Sequence, residues 1–443
     1  MKIAGIITLS LIILLTISCQ KKDSKYLDAA LNTEKWINSN KVELANGYKW
    51  VTPKPDSVAL DTFWIYHGSS GVVLFYLELY NSTGNKDFLT KAEKGADYLI
   101  SCFPEKESEP ATAGFYVGWS GIGFTLNEVF KQTQIEKYRS SALKCIDFIG
   151  MTAQHNGLGI EWNGITDIIN GSAGIGLFLL YANKEMGYPD ALNMAKEIGN
   201  RLVEVSVSAG DGLNWFIEPE YSRRNFSMPN FAHGTAGVSY FLARLYEETK
   251  DQAFLEAAKK GANYLLSIAN DDGMVFHHEP GGENLYYFGW CHGPAGTSRL
   301  FYKLYQITND EKWLNPIRKS EEAILNSGIP DTLLPGFWNN VSQCCGSAGL
   351  AENYLNLYKT LKNETYLNFA RKITDNLLKR STTDGSGTRW VQAEHRTRPD
   401  LLLAQVGYMQ GSAGIGMWLL HLDAYEKGLK PLITFPDVPF QGL

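Results

Sequence analysis

Cys291, Cys344 and Cys345 stand directly ahead of two Gly-x-x-Gly motifs, at Gly293 and Gly346, and they are three of only six cysteines in the chain. Residues at equivalent places in two copies of a repeated unit meet in space, so the three thiols are expected to converge. Thiolates gathered beside imidazoles make a soft site suited to Zn²⁺. A disulfide in an oxidising compartment, or a set of inert buried thiols, would be the other outcomes of the same spacing. Three histidines hold the place just before a motif glycine: His67 before Gly68, His233 before Gly234 and His292 before Gly293. His292 follows Cys291 directly, where it could bind metal, move a proton, contact substrate or serve structure alone. His67 has no other chemistry beside it and reads as structural. Asp167 lies four residues before Gly171, a position that also suits a helix cap.

These residues are placed by a repeat. Gly-x-x-Gly followed by an apolar stretch occurs seven times, starting at Gly68, Gly118, Gly171, Gly234, Gly293, Gly346 and Gly411, with 50 to 65 residues between starts. Glycine, at 42 of 443 residues, is over-represented, and the motifs account for the surplus. An apolar residue recurs eight positions after the second glycine in six copies: Leu79, Val129, Leu245, Leu304, Leu357 and Leu422. Between motifs lie amphipathic stretches with apolar residues at three- and four-residue steps, as in 87–103, 135–151, 251–269 and 364–381, so each period holds two helices. A pair of helices cannot bury its own faces and must stack on its neighbours. The first and last motifs are as apolar as the middle ones, which argues for a closed ring. The expectation is an all-α fold, an α/α toroid of seven hairpins, with every inner helix starting at a motif glycine and pointing its N-terminus at one face.

From Trp64 to Leu420 the chain resembles the lanthionine synthetase C-like proteins. The resemblance rests on the sevenfold motif and on three richer copies, Phe231–Gly237 (FAHGTAG), Gly289–Gly296 (GWCHGPAG) and Gln343–Gly349 (QCCGSAG). It implies zinc held by Cys291 of the Trp-Cys motif and by Cys344 and Cys345, the last standing where most of the family has histidine. It implies an active-site histidine at His233 and aspartate at Asp167, with His233 or His292 as proton donor. The implied reaction adds a cysteine thiol to the β-carbon of dehydroalanine or dehydrobutyrine in a peptide. An arginine found in one bacterial member of the family four residues before the Trp-Cys cysteine is replaced by Tyr287, leaving a rim cation to come from elsewhere, with Arg223 and Arg224 as candidates.

Two other classes use overlapping residues. A toroid glycosidase would need a carboxylate pair drawn from Glu161, Asp167 and Glu394, and a non-catalytic zinc, thiol or peptide-binding lipoprotein would need only the ligands. The loop 270–287, with His277 and His278, is read as a polar segment that gates the site, its histidines solvated. The segment Arg389–Asp400, including Arg396, could line the same rim. Cys102 and Cys145 fall in outer helices as small core residues, with a disulfide between them as the lesser expectation.

Forty-one basic against 47 acidic residues, a net charge of −6, exclude an electrostatic footprint for nucleic acid. Residues 1–18 form a short charged start, an apolar run and a small residue before Cys19. This is similar to a bacterial lipoprotein signal, with Thr16 where leucine is usual. The expected division is a signal peptide over 1–18, a tether and approach over 19–45, and one toroid domain over 46–443. The mature protein is expected as an exported monomer anchored in the membrane by lipid on Cys19, acting on a cysteine-containing dehydrated peptide or a small thiol.

Overall fold

The computed structural model describes residues 24–54, 61–104, 112–217 and 226–440. The leader 1–18, Cys19, Arg223 and Arg224 lie outside the described residues. Among the described residues fourteen α-helices run in chain order: α1 (Lys25–Ser39), α2 (Ser69–Thr83), α3 (Lys86–Ser101), α4 (Trp119–Thr133), α5 (Glu136–Thr152), α6 (Ser172–Tyr181), α7 (Asp190–Glu204), α8 (Thr235–Thr249), α9 (Gln252–Ile268), α10 (Pro294–Thr308), α11 (Leu314–Asn326), α12 (Ser347–Leu361), α13 (Glu364–Lys379) and α14 (Ser412–Glu426). The helices α2, α4, α6, α8, α10, α12 and α14 each have a motif glycine as N-cap. They form the inner layer, each paired with an outer helix, which confirms the expected toroid. Among the described residues no helix is long and apolar enough to cross a membrane.

The ring closes in a way the repeat does not announce. Among the described residues no outer helix follows the last inner helix, α14, and α1 packs on it instead. The segment 19–45, expected as tether and approach, therefore contributes from Lys25 onward the seventh outer helix. Ser24 caps α1 and also hydrogen-bonds Asp423 of α14. Tyr26, Leu27, Ala30, Trp36 and Ile37 are its buried apolar face.

Both glycines of each motif are required by close approach, and among them only Gly118, at φ 151°, also has a backbone that disfavours a side chain. A Cβ on either glycine would run into the carbonyl oxygen six residues earlier, as at Gly237 against Phe231 and Gly296 against Trp290. The chain before each inner helix thus folds back over the helix start. There the residues two before each first glycine join in a circle of backbone hydrogen bonds. Tyr66 N–H donates to Tyr116, Tyr116 to Ile169, Ala232 to Cys291, Cys291 to Cys344, Cys344 to Met409 and Met409 to Tyr66, with Ile168 to Ala232 completing the seven at 2.9 to 3.2 Å.

Four short β-hairpins, at 41–50, 154–161, 207–214 and 382–389, follow outer helices α1, α5, α7 and α13. A buried tryptophan after the hairpin pins three of them back to the helix: the indole N–H of Trp162, Trp215 and Trp390 donates to the carbonyls of Ile149, Leu202 and Leu377. At the end of the barrel opposite the glycines, the C-terminal segment folds across the opening. Asp437, fully buried, accepts from Tyr116 Oη at 3.1 Å and Trp290 Nε1 at 3.0 Å and pairs with Arg299 at 2.8 Å.

Candidate metal centre and its surroundings

The circle of backbone bonds decides where the thiols go. Cys291 and Cys344 occupy its two-before-glycine position in neighbouring repeats, and Cys345 the next position, which faces the mouth of the ring. The Cys291 and Cys345 sulfurs are 2.9 Å apart and those of Cys344 and Cys345 3.4 Å, with all three ligand atoms inside 4.8 Å of one another. Sulfurs on one face of a tetrahedral zinc, at bonds of about 2.3 Å, sit about 3.8 Å apart, so the cluster has the size of such a face. Among the described residues no histidine or carboxylate joins the group, which leaves the fourth vertex for a non-protein ligand. All three thiols are free of disulfides, as are Cys102 and Cys145.

One sulfur of the three is held ready as a thiolate. Burial alone would push the Cys344 thiol up, but hydrogen bonds from Cys291, Cys345 and Tyr66 hold it well below its usual range. Burial and the neighbouring sulfurs push Cys291 well up. The Tyr66 hydroxyl donates to Cys344 Sγ at 3.2 Å and accepts from Gln410 Nε2 at 3.2 Å. Burial and the two cysteine charges raise its own ionisation far above 10, so it remains a donor. Tyr66 and Gln410 escaped the sequence reading, although they hold the same motif positions as Cys344 and Cys345.

His233, also just before its motif glycine, places Nδ1 at 2.6 Å from Asp167 Oδ2. The other carboxylate oxygen of Asp167 accepts from the backbone N–H groups of Asn170 and Gly171, both at 2.8 Å. Asp167 is therefore a cap and a partner at once, one oxygen for each. Burial works against the imidazolium of His233, but Asp167 and the Cys344 charge outweigh it and raise the pKa above the usual 6.5. His292 lies beside it, ring centres 5.6 Å apart, and burial drives its pKa well down, so it is neutral.

The wall continues away from the thiols through residues that the sequence reading placed in a solvated loop. His277 meets His292 at 4.4 Å between ring centres and stacks on Tyr287 at 4.4 Å. Burial lowers its pKa to about 4. Tyr287 packs in turn on Trp338, and its hydroxyl is reached by the Arg396 guanidinium. Arg396 thus supplies the rim with a cation. His67 is not isolated as expected: its Nε2 lies 3.2 Å from Glu394 Oε1, and Gln405 holds the other carboxylate oxygen. Glu161 is tied to Arg201 at 2.8 Å. Asp167 and Glu394 are thus each paired with a histidine and Glu161 with an arginine, so none of the three carboxylates considered for a glycosidase is free.

A family model described as lanthionine synthetase C-like protein matches residues 59–436. The Lactococcus lactis lacticin 481/lactococcin biosynthesis protein LcnDR2 is 25% identical over 392 residues, 84% of this chain and 37% of that protein. The zebrafish (Danio rerio) glutathione S-transferase LANCL1 is 21% identical over 68% of this chain and 71% of its own. Among solved structures, nisin cyclase superposes with a TM-score of 0.60 at 19% identity, covering 85% of this chain and 91% of its own, a likeness of fold.

Proposed function

The chain belongs to the lanthionine synthetase C-like family, and from that premise we propose that it joins a cysteine thiol to the β-carbon of dehydroalanine or dehydrobutyrine, forming a thioether in a modified peptide. The observation that carries this reading is the His233–Asp167 pair, set at the same rim as three convergent thiols. Cys291, Cys344 and Cys345 would hold Zn²⁺, which when bound lowers the pKa of a substrate thiol in its fourth place. Asp167 fixes His233 through Nδ1 and leaves Nε2–H free, so the imidazolium donates a proton to the α-carbon after sulfur has bonded to the β-carbon. The neutral ring of His292 borders the same space and orients the acceptor. The proton of the substrate thiol leaves to solvent, so thiol and alkene are consumed one for one. Tyr66 and Gln410 keep the ligand set aligned by hydrogen-bonding the cysteine sulfurs. The lipoprotein-like start ending at Cys19 supports an exported, lipid-anchored form acting outside the cytoplasm.

Elemental analysis with a thiol assay tests this. The purified chain should carry zinc and consume the free thiol of a peptide containing dehydroalanine and cysteine without changing its mass. Cys344→Ala should lose both zinc and reactivity, whereas His67→Ala should keep its zinc. Zinc lost equally from both variants would show the ligand set to be wrong, and thiol bound but never consumed would make the protein a binding module.

A further inference from the structure

The wall running from His292 to Arg396 carries an unusual number of unsatisfied groups. Nδ1 of His277, Nδ1 of His292 and Nε of Arg396 are all buried and have no hydrogen-bond partner. Buried polar atoms are nearly always partnered, so three along one wall point to a ligand that completes them. A guanidinium can only donate, and His277 and His292 are packed ring against ring. The Tyr287 hydroxyl, reached by the same guanidinium, supplies a further donor. Tyr287 lies close enough to Cys291 and Cys345 to be acted on by their charges, and the Arg396 guanidinium is opposite to them in sign.

We infer that Arg396 and His277, with Tyr287, form an oxyanion subsite beside the thiols that holds the acceptor's carbonyl oxygen as it becomes the enolate oxygen during reaction, and that binds a carboxylate set at the same reach from sulfur. The inference rests on the thiol addition proposed above. As the sulfur–carbon bond forms, the alkene π pair moves through the α-carbon onto the neighbouring carbonyl oxygen. Arg396 holds that charge. The pair returns as the α-carbon takes a proton from His233, and the thioether is complete. Arg396 would then be a catalytic residue contributed by the loop ahead of the seventh motif.

Binding of two small thiols to the full-length protein with cobalt in place of zinc tests the subsite without turnover, through the charge-transfer absorption of the metal–sulfur bond. One is 3-mercaptopropionate, which carries a carboxylate, and the other propanethiol, which does not. The wild type should prefer 3-mercaptopropionate by about tenfold or more, as a paired charged hydrogen bond gives. Arg396→Gln should abolish that preference with metal content retained. Arg396→Lys should restore part of it, since lysine keeps the charge and loses the planar fork. No preference in the wild type, an unchanged preference in Arg396→Gln, or loss of metal from Arg396→Gln would overturn the subsite. Failure of both thiols to bind a metal-loaded wild type would instead overturn the thiol chemistry, and the subsite with it.

Discussion

At the scale of single residues, the site turns on how two oxygens of one carboxylate are divided. Asp167 gives one to the N-terminal turn of α6 and the other to His233, so the imidazole is positioned by the start of a neighbouring repeat. Replacing Asp167 by Asn keeps an acceptor for the cap and removes the charge. Burial, which opposes protonation, then acts on His233 without an opposing carboxylate. In the wild type the proton should stay on His233 above pH 6.5, and in Asp167→Asn it should be lost below that pH. Titration of the His233 ring by NMR reads both, and an unshifted midpoint would mean that Asp167 does not set it. The cysteines, His233 and Asp167 were legible because they lie inside the motif and resemble a family. The loops carrying His277 and Arg396 were read as belonging to the rim, but their meeting at Tyr287 was not legible, since nothing in their spacing joins two loops from different repeats.

At the scale of elements, the glycine pair explains why the helices could be read so far in advance. Each pair marks a point where backbone crosses backbone, and no larger residue fits. Gly237→Ala should therefore destabilise the fold by about 1–3 kcal/mol through overpacking against Phe231. Gly385→Ala, where a Cβ meets nothing within 4 Å, should change it little. Urea unfolding of the two variants separates these outcomes. The six outer helices after the motifs were equally legible, because their polar faces give them a clear period. The seventh was hidden, since α1 precedes its partner α14 by almost the whole chain and only the closed ring brings them together.

At the scale of the molecule, the barrel is closed at one end by the backbone circle and at the other by the C-terminal segment. Asp437→Ala would leave the Arg299 charge buried without its partner, at a cost of about 3–5 kcal/mol, readable as a lowered midpoint in thermal or urea unfolding. Trp290, which donates to Asp437 and adjoins Cys291, links that loss to the thiols. The circle of seven bonds has a consequence in time as well as in space. Its link from Met409 to Tyr66 joins the two ends of the described ring, a contact of very long range and so slow to form. Tyr66 is also what steadies the Cys344 sulfur. The cysteines are all synthesised before that link can close, yet their pocket is unfinished until it does. In refolding, tight metal capture should therefore follow the slowest phase of tertiary structure formation at the same rate. Stopped-flow mixing with a zinc indicator would show this, and tight capture well ahead of closure would mean that the thiols assemble without the ring.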